Sequence, residues 1–205
     1  MESERKRRPD PVRTAHKAER RERLIDAVAE AVRRHGAGAS MDEIAADAGV
    51  AKPILYRYFG SRHGLNAALA ERVTGSLTWE LQDALARDAG PRALLRVSID
   101  TYLAFVEREP QLYRWLTQWA QTEQPQAVAG LMEQFGDEIG KVLAERLAAF
   151  GLDPAPAPTW AHGIVGMVHR AGDRWLDRQD VPRDVLVEQL VTLLWSGIAG
   201  YASGS

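Results

Sequence analysis

Residues 49–65, GVAKPILYRYFGSRHGL, gather a lysine, two arginines, a histidine, two tyrosines and a phenylalanine, with no acidic residue among them. Cations of this kind bind phosphate oxygens and the O6/N7 edge of guanine, and tyrosine hydroxyls reach a sugar-phosphate backbone. A buried core has no use for the cations, and a solvated face has none for the rings. The other candidate constellations are poorer. His162 and His169 stand seven apart on an expected helix, about 10.5 Å along its axis, too far to ligate one metal together. The chain has no cysteine, which excludes disulfides, thiolate catalysis and cysteine-based zinc sites. It also lacks H-E-x-x-H, G-x-S-x-G and G-x-x-x-x-G-K-[ST], and G-A-G-A-S-M fails the dinucleotide fingerprint. The expectation is therefore no enzyme, no metal and no cofactor.

Helices must position the cationic segment. From residue 16 to 35 an amphipathic pattern places Leu24, Ile25, Val28, Ala31 and Val32 on one face, with Gly36 as its stop. Ser40 followed by Glu43 has the spacing of a capping box and opens a short helix that buries Ile44, Ala45 and Ala48 before Gly49. Lys52-Pro53 opens a second short helix, since proline is tolerated in a first turn, and this one ends near Phe59-Gly60. With Leu55 and Phe59 turned inward, Lys52, Pro53, Ile54, Arg57 and Tyr58 surround the outer side, and Tyr56 flanks it. A long helix follows Ser61, with Leu65, Leu69, Val73, Leu77 and Leu81 recurring at fours. Further helical stripes continue to the end and no alternating strand pattern is found. The fold class is all-α, with about nine helices: a three-helix helix-turn-helix head and a C-terminal bundle. Its outer surface is what a recognition helix in a major groove requires.

Residues 16–70 resemble the DNA-binding head of the tetracycline repressor (TetR) family of bacterial regulators. The family run G-V-S-x-x-T-L-Y-x-H/Y-F-x-S-K-x-x-L is matched by Gly49, Val50, Leu55, Tyr56, Tyr58, Phe59, Ser61 and Leu65, and the preceding I-A-x-x-A-G by Ile44, Ala45, Ala48 and Gly49. The chain departs from it at Ala51 for Ser, Ile54 for Thr and Arg62 for Lys, so no relative's operator can be transferred to it. The resemblance implies a dimer that reads a palindromic operator in double-stranded DNA, commonly as a repressor. Resemblance and side-chain chemistry together assign Ser40, Tyr56, Tyr58, Arg62 and His63 to phosphates, and Lys52, Pro53, Ile54 and Arg57 to base edges. Arg57 or Lys52 would read guanine, and Ile54 a thymine methyl.

Charge is unevenly spread. Up to residue 70 there are roughly 14 Lys and Arg against 10 Asp and Glu, and roughly 12 against 18 beyond, for a net charge of −2. The expected domains are a basic disordered arm over 1–15, the head over 16–62, and a ligand-binding and dimerisation domain over 63–205. The arm carries Arg5, Lys6, Arg7 and Arg8, and either solvates or reaches DNA. The start is too polar for a secretory signal and no run is long enough to span a membrane, so a cytoplasmic location is expected.

Five of the six tryptophans fall beyond residue 100. Tyr102, Phe105, Tyr113, Trp115, Trp119, Met132, Phe135, His162 and Met167 are the candidate walls of a cavity for a hydrophobic or amphipathic effector, with Arg114 or His162 to meet an acidic group. The same residues also suit an ordinary core. The last two helices are the candidate homodimer interface through Trp175, Leu190, Leu194 and Ile198. The alternatives are a helical DNA-binding or protein-interaction module that senses nothing, or an activator.

Overall fold

The computed structural model describes the backbone of residues 11–86, 90–122, 125–149 and 151–204. Within these it describes all side chains except 11–14, 85, 121, 125–129, 131 and 198–204. The described residues form helices α1 (Pro11–His35), α2 (Met41–Asp47), α3 (Lys52–Phe59), α4 (Arg62–Leu85), α5 (Pro91–Arg108), α6 (Pro110–Thr122), α7 (Pro125–Ala149), α8 (Ala157–Arg178) and α9 (Arg183–Gly204), and no strand. The chain divides into two compact units, Met1–Arg72 and Val73–Ser205, each with its own core.

In the first unit the inward stripe of α1 is buried as its spacing requires: Leu24, Ile25, Val28, Ala31 and Val32 are each no more than 5% exposed. Met41, Ile44 and Ala45 of α2 and Leu55 of α3 are buried too. The capping box is complete: the Glu43 N–H donates to Ser40 Oγ at 3.2 Å and the Ser40 N–H donates to Glu43 Oε2 at 2.8 Å. Gly49 (φ 62°) and Gly60 (φ 77°) make the turns on either side of α3, in a backbone region that β-carbons disfavour. Two ties hold the start of α4 in this unit: Arg62 donates to the Ala39 carbonyl at 3.2 Å, and Arg72 pairs with Asp26 at 2.8 Å. The first compact unit thus takes in the start of α4 as far as Arg72, where Leu65 and Leu69 are buried. At the other end α1 begins at Pro11, inside the expected arm, since proline at a first turn suits a helix start. Arg5 to Arg8 lie outside the described residues.

In the second unit, α5 buries Leu94, Ile99, Tyr102, Leu103, Phe105 and Val106, and α6 buries Leu112, Tyr113, Trp115, Leu116 and Trp119. Trp115 and Trp119 stack with centroids 5.9 Å apart. Helices α7 and α8 pack antiparallel: Gly136 abuts the His162 ring, and Gly140 abuts Pro158 and Ala161. Helix α9 is fixed to α5 by Arg96–Glu188 and by Arg183, which reaches Asp100 at 3.0 Å and Glu107 at 2.7 Å.

Candidate nucleic-acid interface and ligand cavity

The first site is the outer face of α3. Pro53, Tyr56 and Arg57 are exposed, and Lys52, Ile54 and Tyr58 are half-buried, while Leu55 on the opposite side is sealed in the core. Ala51 caps this helix without a side-chain hydrogen bond, so the hydroxyl that the family has here is absent and no side chain occupies the first N–H groups. Arg62 and His63 are exposed at the start of α4, and Ser40 is half-buried at the start of α2 with its oxygen accepting within the cap.

The structure separates the two cations between which the sequence could not choose. Lys52 Nζ pairs with Asp42 at 3.0 Å, and that contact is the main cause of its raised pKa. Among the described residues Arg57 has no carboxylate partner; its guanidinium lies over the Tyr58 ring, 5.6 Å from the centroid. Arg57 is thus presented with its donors unspent, whereas Lys52 must leave Asp42 to meet a phosphate or base. The Lys52–Asp42 pair is exposed and correspondingly weak, so exchange for a phosphate is easy. Asp42→Asn is therefore expected to tighten binding to duplex of any sequence severalfold and to steepen its salt dependence by about one counterion per head. Fluorescence anisotropy over a salt series measures this; an unchanged slope would mean that Lys52 lies away from the nucleic acid.

The second site lies in the second unit, a cavity of about 710 Å³ between α5, α7 and α8. Its walls are nearly all aliphatic or aromatic: Leu94 and Ile99 from α5, Phe135, Ile139 and Leu143 from α7, Ile164 and Val168 from α8, and Trp195 from α9. That volume suits a small molecule. Of the nine residues expected there, Tyr102, Met132 and Phe135 line it. Phe105, Tyr113, Trp115 and Trp119 are buried away from it in the helical packing. Met167 is 41% exposed. His162 is exposed, with Nδ1 hydrogen-bonded to the Pro158 carbonyl at 2.8 Å. Arg114, the other candidate for an acidic group, lines a separate polar depression and lies 3.5 Å from Asp177.

Polar groups on the cavity wall are few. Tyr102 Oη lies 3.0 Å from His169 Nδ1 and 3.2 Å from Tyr113 Oη, and Tyr113 donates to Asp173. Burial, first among the causes, pushes both phenols above their ordinary 10.0. The folded chain therefore holds phenol protons that the unfolded chain releases near pH 10, so this contribution to stability is intact below pH 10 and lost above it. Each such tyrosine lowers stability by about 1.4 kcal/mol per pH unit in that range. Alkaline denaturation followed by circular dichroism is expected to be shallower for Tyr102→Phe; an equal slope would mean that Tyr102 ionises freely in the fold.

The expected dimer residues divide. Trp175 is 4% exposed and donates to the Val181 carbonyl at 2.7 Å, and Leu190 is 7% exposed, so both belong to the chain's own core. Leu194 is half-buried, and the side chain of Ile198 lies outside the described ones. The free apolar surface of these helices is instead Met167, Val185 and, most of all, Leu193 at 61% exposure. Around Gly163, Gly166 and Gly197 there is open space. The polar and small residues flanking Leu193 along α9 (Gln189, Thr192, Ser196) were the available sign of an outward face.

Two family descriptions match the chain: "Bacterial regulatory proteins, tetR family" over residues 24–69, and "Tetracyclin repressor-like, C-terminal domain" over residues 80–204. An uncharacterised helix-turn-helix-type transcriptional regulator of Mycobacterium tuberculosis is 34% identical over 186 residues, covering 90% of this chain and 80% of that protein. The transcriptional activator FasR of Mycolicibacterium smegmatis is 30% identical, covering 88% of this chain and 84% of FasR. Among solved structures, FadR of Bacillus subtilis in complex with stearoyl-CoA shares the fold with a TM-score of 0.68 at 21% identity, covering 86% of this chain and 98% of that one. No described helix is long and apolar enough to cross a membrane.

Proposed function

The chain belongs to the TetR family of bacterial transcriptional regulators, DNA-binding proteins rather than enzymes, and on that premise we propose that it is a ligand-responsive repressor. It holds an inverted-repeat operator as a homodimer, with α3 of each head in a major groove, and works in the cytoplasm beside the chromosome. Ser40, Tyr56, Tyr58, Arg62 and His63 set the register on phosphates, while Lys52, Pro53, Ile54 and Arg57 face the bases. The observation that carries the ligand response is the apolar cavity of about 710 Å³ in the unit that does not bind DNA. A regulator with no effector has no need of such a space, since unfilled apolar volume costs stability. FadR's stearoyl-CoA supports a long-chain acyl effector.

Helix α4 is continuous from Arg62 to Leu85 and so connects body to head. A ligand that prefers one packing of the body tilts this rod and resets the spacing of the two heads. A hundredfold loss of operator affinity needs about 2.7 kcal/mol of coupling, an ordinary allosteric magnitude. Self-association runs through the outward face of α8 and α9 around Leu193, Val185 and Met167. Leu193→Ala, which removes apolar surface from both copies, is expected to weaken the dimer by about 2–3 kcal/mol in sedimentation equilibrium. A monomeric wild type, or an unchanged dimer, would refute this interface.

The test of the ligand response is anisotropy of a bound operator duplex titrated with C16 and C18 acyl compounds and with acetate. Release by the long chains alone is the expected result. Retention of DNA at saturating ligand would end the repressor reading. Tighter binding with ligand would favour the second reading, an activator, which FasR's own activity supports.

A further inference from the structure

The cavity has a direction. Helix α7 lines it with Met132, Phe135, Ile139, Leu143, Arg146 and Leu147, and from Met132 to Arg146 this stripe is about 21 Å long at 1.5 Å per residue. Because α7 and α8 are antiparallel, Met132 lies toward the His169 end and Arg146 toward the loop before α8, beside Leu152. Both ends carry polar groups, and they differ in what those groups have left to give. At the first end the Tyr102 hydroxyl proton is taken by His169 or Tyr113, and that of Tyr113 by Asp173. At the other, Arg146 is half-buried on an apolar wall, and among the described residues it makes no hydrogen bond or ion pair. A guanidinium partly withdrawn from water with all five N–H donors unspent is costly unless something pairs with it. The arginines of the polar depression differ: Arg114, Arg170 and Arg174 are paired with Asp177, Asp173 and Asp180 at 3.5, 3.0 and 3.3 Å, and Arg178 is exposed to water.

We propose that the cavity takes an unbranched chain ending in an anion, bound in one orientation, with the anionic end on Arg146 and the apolar tail running along α7 toward Tyr102 and His169. The proposal rests on the ligand-responsive reading above and adds the polarity, length and anchor of the ligand. An extended chain advances about 1.2 Å per bond, so the stripe fits roughly 16–18 carbons. A carboxylate pairs with guanidinium through two parallel hydrogen bonds, a geometry a neutral alcohol cannot reproduce. The anion can belong to a free fatty acid or to the phosphates of an acyl-CoA, whose pantetheine arm must then fold back at the Arg146 end so that the same chain of roughly 16–18 carbons lies along the stripe.

Calorimetric titration of the delipidated full-length protein with palmitate, hexadecanol, octanoate and palmitoyl-CoA tests this, in the wild type, Arg146→Gln and Arg146→Lys. The wild type is expected to bind palmitate or palmitoyl-CoA at least tenfold more tightly than hexadecanol, and octanoate more weakly still. Whichever anion binds better identifies the source. Arg146→Gln should bring that preference close to one while leaving hexadecanol within about twofold, and Arg146→Lys, which keeps the charge but not the paired hydrogen bonds, should keep part of it. Equal binding of anion and alcohol by the wild type, or a preference that survives Arg146→Gln, would overturn the anchor while leaving the ligand cavity standing. If neither chain binds, the ligand-responsive reading fails as well.

Discussion

Alanine in place of Arg57 is expected to weaken operator binding by about 30-fold to 20,000-fold and to relax the base preference at one position of each half-site. A bidentate arginine–guanine contact discriminates by about 1–3 kcal/mol, and a dimer carries the change in both heads, so the loss doubles to about 2–6 kcal/mol. The structure favours this residue over Lys52 because Arg57 is exposed, without a carboxylate partner, and braced by the Tyr58 ring at 5.6 Å, whereas Lys52 is held by Asp42. The variant should fold normally, since the side chain buries nothing. Competition between operator and random duplex measures both parts. A uniform loss across all sequences would make Arg57 a phosphate contact and remove it from base readout.

The second large effect comes from the opposite face of the same helix. Leu55 is 0% exposed and is the one fully buried side chain of α3, so the helix is held by this sealed anchor together with the half-buried Tyr58 and Phe59. Leu55→Ala is expected to cost about 2–5 kcal/mol, the range for a cavity left in a core that cannot fully collapse. A 72-residue head is a small unit with little stability to spare. Hydrogen exchange should therefore show lost protection in α1 to α3 with α5 to α9 nearly unchanged, and sequence-specific DNA binding should fall with it. Equal loss of protection in both units would mean that they unfold as one.

What the sequence disclosed and what it concealed divide along the range of the forces involved. The capping box of Ser40 and Glu43, the turns at Gly49 and Gly60, and the burial of Leu24 to Val32 are set within a few residues, and spacing alone revealed them. The outward cations of α3 followed from the same periodicity. The pairing of Lys52 with Asp42, ten residues away on another helix, depends on how α2 and α3 cross, and it decides which cation is free. The cavity was harder. Phe105, Tyr113, Trp115 and Trp119 have the same character as Tyr102, Met132 and Phe135, and only the gap between helices makes one group wall and the other core. Arg146 did leave a trace: it stands two heptads after Met132, in the register of an apolar stripe where a charged residue is out of place. The outward face of α8 and α9 was hidden for a related reason, because two of their most apolar positions, Trp175 and Leu190, are ones the chain buries for itself.

On the proposed function, a dimer of this chain reads an inverted repeat through α3. A binding selection on random duplex DNA with the full-length protein, followed by a salt titration on the enriched sequence, tests it most directly. The expected product is an inverted repeat with half-sites about one helical turn apart, bound with an affinity that falls steeply with salt. Enrichment of a single unrepeated site, or salt-dependent binding with no sequence preference at all, would contradict it.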